Sequence, residues 1–178
     1  MFRDDSAGFT LVEMLLVVAI IGILAAVAVP GLLRARMSGN EASAIGSLRA
    51  VNSAESSYSS TCAAGAYAVT LDDLAKPPNG TSQGFISPDL ASNGVTKSGY
   101  QHTMAKDASP GTLDVGTAAA TCNGSTSTPA TSYFASAVPI TLNSTGTRYF
   151  ATDKRGTIFM DSAAAIANPI PGTATAVQ

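Results

Sequence analysis

The sequence has no tryptophan, one histidine and two cysteines in 178 residues, and only 12% of its residues are charged. An average soluble domain carries about twice that share of charge. Ten lysines and arginines against twelve acidic residues, a formal net charge of −2, provide no basic field to gather nucleic acid, so no nucleic-acid partner is expected. His102 is the only histidine and no serine lies in a nucleophile-elbow motif, so the chain does not read as an enzyme and His102 reads as structural. Cys62 and Cys122 are spaced for neither a zinc site nor a CxxC redox pair. Asp72, Asp73, Asp153 and Asp161 lack calcium-loop spacing and read as solvated carboxylates. No metal and no cofactor is expected.

What the chain has instead is apolar residues, 46% of the total and unevenly spread. Met14 to Leu33 runs twenty residues without a charge, MLLVVAIIGILAAVAVPGLL. At the helical rise that is about 30 Å, the thickness of a bilayer's hydrocarbon core. A secretory signal peptide cut after Ala28 (in Ala26-Val27-Ala28) is one alternative. Against it stand Asp4 and Asp5 cancelling Arg3, a run longer than a usual signal core, and Glu13 at the edge of the run, where an unpaired carboxylate is costly. A permanent anchor is another. Arg34 and Arg36 would then hold the rest of the chain in the cytoplasm by the positive-inside rule.

The stretch Gly8-Phe9-Thr10-Leu11-Val12-Glu13 followed by this run closely resembles the processing motif of type IV pilins and type II secretion pseudopilins. The resemblance implies cleavage by a prepilin peptidase between Gly8 and Phe9 and methylation of the new Phe9 amine. Phe9 and Glu13 are four residues apart, on one face if both are helical. The Glu13 carboxylate of one subunit can then pair with the Phe9 amine of a neighbour. The pair need add little stability, because desolvation offsets attraction, but either charge left alone would be costly, so the pair sets register. Gly22 and Pro30 mark where the family's helix bends or melts, proline removing a backbone donor.

Beyond Leu33 the helical pattern becomes amphipathic, with Met37, Ile45, Leu48, Val51, Ala54 and Tyr58 against Arg34, Arg36, Glu41, Arg49 and Glu55. From about residue 61 the pattern turns to short strands and polar loops. A helical turn is expected at Thr70–Ala75, capped by Thr70. Strands are expected at Gly99–Met104, Ser132–Val138, Thr147–Thr152 and Thr157–Met160, the last two joined by a turn at Asp153–Gly156. Residues 116–132 and 162–178 read as exposed loop and tail. Asn79, Asn123 and Asn143 lie in glycosylation sequons, which arise easily in a Ser/Thr-rich chain.

The expected fold is α+β, a long N-terminal helix (the spine) packed against a small antiparallel sheet. Its parts are a leader at 1–8, a transmembrane and filament-core half-helix at 9–33, an amphipathic half-helix at 34–60 and a globular head at 61–178. The resemblance implies a structural subunit assembled into a helical surface filament, with a pseudopilin of type II secretion as the alternative. A secreted soluble binding protein cut after Ala28 is the alternative from another class. Adhesion, twitching motility, DNA uptake and secretion all suit the family. The implied partners are the prepilin peptidase, other copies of the chain, the inner membrane before assembly and the assembly platform. The implied location is single-pass in the bacterial inner membrane with the head outside the cytoplasm, then an extracellular pilus or periplasmic pseudopilus. In a head so placed, Cys62 and Cys122 are expected to form a disulfide; two free buried thiols are the alternative.

Overall fold

The structure, a computed structural model, describes residues 8–177. The leader expected at 1–8, with Arg3, Asp4 and Asp5, lies outside the described residues except for Gly8. The chain divides into two compact units, the first ending at Arg36 and the second beginning at Met37. Helix α1 (Leu11–Thr61) supplies all of the helix in the first unit and the opening helix of the second.

In the first unit every described side chain is exposed. Leu11 is 80% exposed, Val27 78% and Leu24 64%. Such a surface is stable only where something apolar covers it. Pro30 lies inside the helix, where it has no N–H to give the carbonyl of Ala26.

The second unit is an α+β layer pair. Helix α2 (Leu71–Ala75) and six strands follow the opening helix: β1 (Val95–Lys97), β2 (Tyr100–Lys106), β3 (Tyr133–Pro139), β4 (Tyr149–Asp153), β5 (Ile158–Asp161) and β6 (Thr175–Ala176). The sheet order is β1-β2-β3-β4-β5-β6, every neighbour antiparallel, so the sheet is a meander. Four of the strands lie where the alternating pattern places them. The turn after β4 closes with Gly156 at φ +73, its N–H on the Asp153 carbonyl at 2.8 Å. Strands β1 and β6 are too short, at three and two residues, to leave a period of their own.

Ala44, Leu48, Val51, Ala54 and Tyr58 of α1 pack on Tyr100, Met104, Tyr133, Ala135, Ala137 and Phe150 in one core. The other face of the sheet is also covered. Phe134 and Ala151 meet Ile166 and Ile170, both 9% exposed, so the segment 162–178, expected as an exposed tail, is pinned to the sheet at these two residues, although most of its described residues are exposed. The apolar residues of that segment are too sparse to show a period, which is why the pattern does not reveal it.

Two acidic residues expected on the solvent face of α1 are buried. Glu41 bonds Arg148 Nη2 at 2.6 Å and Nε at 2.8 Å, and accepts the Thr147 N–H and hydroxyl. Burial pushes its carboxyl up, but these donors outweigh it and hold it below the usual range. Glu55 is wholly buried, with Oε2 accepting the Ala68 N–H at 3.0 Å and Oε1 unpartnered. Burial pushes this carboxyl well above the usual range and the one backbone donor only partly offsets it. His102 on β2 is 2% exposed with neither ring nitrogen bonded. Burial, reinforced by nearby Lys97, brings it down to about 4.

These two buried groups tilt stability in opposite directions. Folded Glu55 keeps its proton at a pH where the unfolded carboxyl has lost it. Its contribution is therefore complete below the ordinary carboxylate range and is lost as pH rises toward its elevated pKa. Folded His102 stays neutral down to about pH 4, while the unfolded imidazole takes up a proton near 6.5. Stability on its account is thus complete above 6.5 and falls by about 3 kcal/mol as pH drops to 4. In thermal melts of the detergent-solubilised chain, Glu55→Gln should raise the melting temperature at pH 8 and leave it unchanged at pH 4. His102→Leu should flatten the decline between pH 6.5 and 4.

Candidate processing and assembly segment

Gly8, Phe9 and Thr10 precede α1 and are exposed, Phe9 at 68%. The bond between Gly8 and Phe9 therefore lies in non-helical chain, where its backbone groups are not tied up in helical hydrogen bonds. The reason the helix stops there is local. Thr10 Oγ1 accepts the Glu13 N–H at 3.3 Å, and Glu13 Oε2 accepts the Thr10 N–H at 3.1 Å and its hydroxyl proton at 2.9 Å. That is a reciprocal capping box, satisfying two donors that the helix end would otherwise leave free.

Placing the helix start at Leu11 alters one expectation. Phe9 lies outside the helix, so Phe9 and Glu13 do not share a helical face in the uncut chain, and Glu13 is held by Thr10 instead. The resemblance assigns Thr10 no role, yet Thr10 is the residue that caps the helix. Its signal is present in the sequence as Thr-x-x-Glu immediately before an apolar run. Gly22 and Pro30 are both helical and exposed, and a Cβ added at Gly22 would meet nothing within 4 Å. Nothing among the described residues of a single chain requires that glycine.

Cys62, just past the end of α1, is joined to Cys122 in a disulfide. Closing a loop of that length contributes about 4 kcal/mol in the chain-entropy model. The backbone reinforces it, with the Cys122 N–H on the Cys62 carbonyl and the Asn79 N–H on the Cys122 carbonyl. The loop 116–132, expected to be exposed, is anchored around this link. Asn123 Nδ2 donates to the Asp73 carbonyl at 2.7 Å, Ser125 Oγ bonds the Tyr58 hydroxyl at 2.7 Å, and Asp73 accepts the N–H groups of Thr126 and Ser127.

Other residues singled out from the sequence also find places. Asp73 and Asp153 are buried rather than solvated; Thr70 caps α2 by accepting the Asp73 N–H, and the Asp73 carboxylate accepts the Thr70 hydroxyl and ties down that loop. Burial pushes the Asp73 carboxyl up, but its N–H and hydroxyl donors bring it below the usual range. Asp153 pairs with Arg155 across the β4–β5 turn. Asn123 is buried and engaged, whereas Asn79 and Asn143 are exposed. Among the described residues no three His, Cys, Asp or Glu side chains gather around a point that could hold a metal.

Residues 3–29 match the profile of the prokaryotic N-terminal methylation motif. The segment around the capped glutamate therefore carries the sequence character of a prokaryotic N-terminal methylation motif. Among characterised proteins, the chain is similar to the type IV major pilin protein PilA of Myxococcus xanthus (strain DK1622), at 41% identity over 57 residues. That stretch is 32% of this chain and 26% of the relative, so the likeness spans about a quarter of the relative's length. No solved structure matches the chain. The motif match is confined to the N-terminal segment, and the likeness to the pilin covers about a third of this chain.

The capping box makes its own prediction. Thr10→Val keeps the side-chain shape but removes the oxygen that caps the helix, a loss of about 1 kcal/mol at that end. Amide hydrogen exchange at Glu13 in the detergent-solubilised chain should rise about fivefold relative to the unaltered chain.

Proposed function

We propose that this chain is a structural subunit of the type IV pilin kind. It is cut between Gly8 and Phe9 by a prepilin peptidase, methylated on the Phe9 amine and assembled with other copies into a helical filament. The observation that carries the reading is a carboxylate, Glu13, held at the head of the entirely exposed apolar stretch of α1, one turn after an exposed Gly8-Phe9 bond. An acidic residue in that place is costly unless a partner awaits it. Cutting at Gly8 creates that partner, a cationic amine on Phe9.

Residues 9–33 then serve as the membrane segment and, after assembly, as the filament core. Residues 34–60 are the amphipathic half-helix and 61–178 the head that forms the surface. On assembly Glu13 exchanges its hydrogen bonds to Thr10 for the amine of a neighbouring copy. A chain one turn out of register would leave both charges desolvated and unpaired, so the pair selects register more than it adds stability. Gly22 and Pro30 mark the stretch where the helix gives way most readily, one lacking a side chain and the other a backbone donor.

The head is read as lying outside the cytoplasm, because disulfides such as Cys62–Cys122 persist in oxidising compartments. This outweighs the positive-inside tendency of Arg34 and Arg36. The role is structural rather than enzymatic. The likeness to a major pilin favours a surface pilus over a pseudopilus.

Intact mass and N-terminal sequencing of the chain from its native host test the processing. The mature chain should begin at N-methylated Phe9, having lost residues 1–8; a start at Val29 would make it a secreted soluble protein and end the filament reading. Glu13→Ala should leave the chain in the membrane at its normal level while filaments fall at least tenfold. Normal filaments with alanine at 13 would sink the register argument.

A further inference from the structure

Cys62 and Cys122 are the only cysteines of the chain and lie 60 residues apart. The residues just after Cys122 are held by a network of polar bonds that involves neither sulfur. Its hub is the Asp73 carboxylate on α2, 1% exposed. Oδ2 accepts the Ser127 N–H at 3.1 Å and the Thr70 hydroxyl at 2.8 Å, while Oδ1 accepts the Thr126 N–H.

The segment around α2 adds bonds in both directions. Lys76 Nζ donates to the Gly124 carbonyl at 3.1 Å and to the Thr126 hydroxyl. Asn123 Nδ2 donates back to the carbonyls of Asp73 at 2.7 Å and Lys76 at 3.2 Å. The Asn79 N–H reaches the Cys122 carbonyl itself at 3.0 Å. From the other side the Tyr58 hydroxyl, one turn before Cys62, meets Ser125 Oγ at 2.7 Å, and that hydroxyl donates to Asn123 Oδ1 at 3.0 Å. Residues 122–127 are thus fastened both to the segment 70–79 and to the last turns of α1.

Undocking this loop is costly whether or not the sulfurs are joined. It would take two N–H donors from a carboxylate that stays buried on its own helix, and a buried charge stripped of donors is penalised more than the bonds themselves contribute. We propose that this clamp, rather than the disulfide, docks residues 122–127, so that the reduced chain already holds the Cys122 thiol against Cys62, with Asp73 as the positioning residue for their oxidation. The disulfide then closes a site that is already built, and the partner thiol in the same chain outcompetes that of a second copy through its high effective concentration. The inference does not rest on the filament reading.

The oxidant in the test is glutathione disulfide. One cysteine thiolate attacks it, forming a mixed disulfide and releasing one glutathione thiolate. The second cysteine gives up its proton, attacks the protein sulfur of the mixed disulfide and releases the other glutathione thiolate. Two protein thiols are oxidised, one glutathione disulfide is reduced, and the two glutathione thiolates take up the protons the cysteines lose.

The full-length chain in detergent is equilibrated in glutathione buffers and its thiols are trapped by alkylation, which gives the effective concentration of the pair. Asp73→Asn should lower that value about tenfold or more, the effect of weakening hydrogen bonds to a charged acceptor. Asp153→Asn is the comparison, since Asp153 is also buried but ties the β4–β5 turn, and it should leave the value unchanged. In the reduced, unaltered chain, amide exchange at Thr126 and Ser127 should stay slowed about tenfold or more relative to unstructured chain. Exchange at the unstructured rate there overturns the proposal, because the disulfide would then be what holds the loop. An unchanged effective concentration in Asp73→Asn, or an equal fall in Asp153→Asn, overturns the role of Asp73. Should Asp73→Asn fail to fold, the exchange measurement on the unaltered chain decides by itself.

Discussion

The constraint on which the rest depends is that, among the described residues, the first half of α1 has nothing of its own to pack against. From Leu11 to Leu33 its large apolar side chains are exposed all round the helix. At about 25 cal/mol per Å² of apolar surface, no arrangement of this chain in water leaves such a face bare without a large cost. Lipid can cover it, and so can copies of the same helix, and the proposed life of the chain is a passage from one cover to the other. Every charged group near that helix therefore acquires a meaning it would not have on a soluble domain. Glu13 is the clearest case, because an ionised group at an apolar boundary must always have a partner. Thr10 fills that place in the uncut chain, and the Phe9 amine would compete for it after cleavage.

The second unit solves the opposite problem. Its helix face is only partly apolar, and the core is completed by polar groups that must find specific partners. Glu41 with Arg148 and Thr147, and Asn52 with the Tyr133 and Thr152 hydroxyls, tie α1 to β3 and β4 at points along its length. Tyr58 with Ser125, and the disulfide just beyond α1, anchor the far end of the helix to a loop that is low in complexity yet buried in part. These contacts fix the place of the sheet on the helix more than they add free energy, since buried polar pairs roughly repay their own desolvation. Glu55 and His102 are left incompletely satisfied, and they make the unit's stability sensitive to pH from both sides.

Much of this was legible beforehand, and what was not has identifiable causes. Strands β2 to β5 and the Asp153–Gly156 turn announce themselves by alternation and turn chemistry, because each is long enough to show a period of two. Strands β1 and β6 are not. The amphipathic pattern puts Glu41 and Glu55 on the solvent face, and the structure buries them, for a different reason. Their burial depends on Arg148 and Ala68, partners far away in the sequence or across a turn, which no local pattern contains. The cap at Thr10, by contrast, was fully local, a Thr-x-x-Glu pattern hidden beneath the more conspicuous cleavage motif.

The sequence by itself determined the apolar run, the Gly8–Glu13 motif and the α+β succession of one long helix followed by the strands of a small antiparallel sheet. These depend on composition and short-range spacing, which the chain carries whether folded or not. Only the tertiary structure decided which carboxylates are buried, that Cys62 meets Cys122, that the C-terminal segment is pinned to the second face of the sheet, and that Ile140 and Leu142 stay uncovered. Each of those outcomes depends on which distant residues the strand order brings together, and contacts between residues far apart in the chain leave no periodic trace in it.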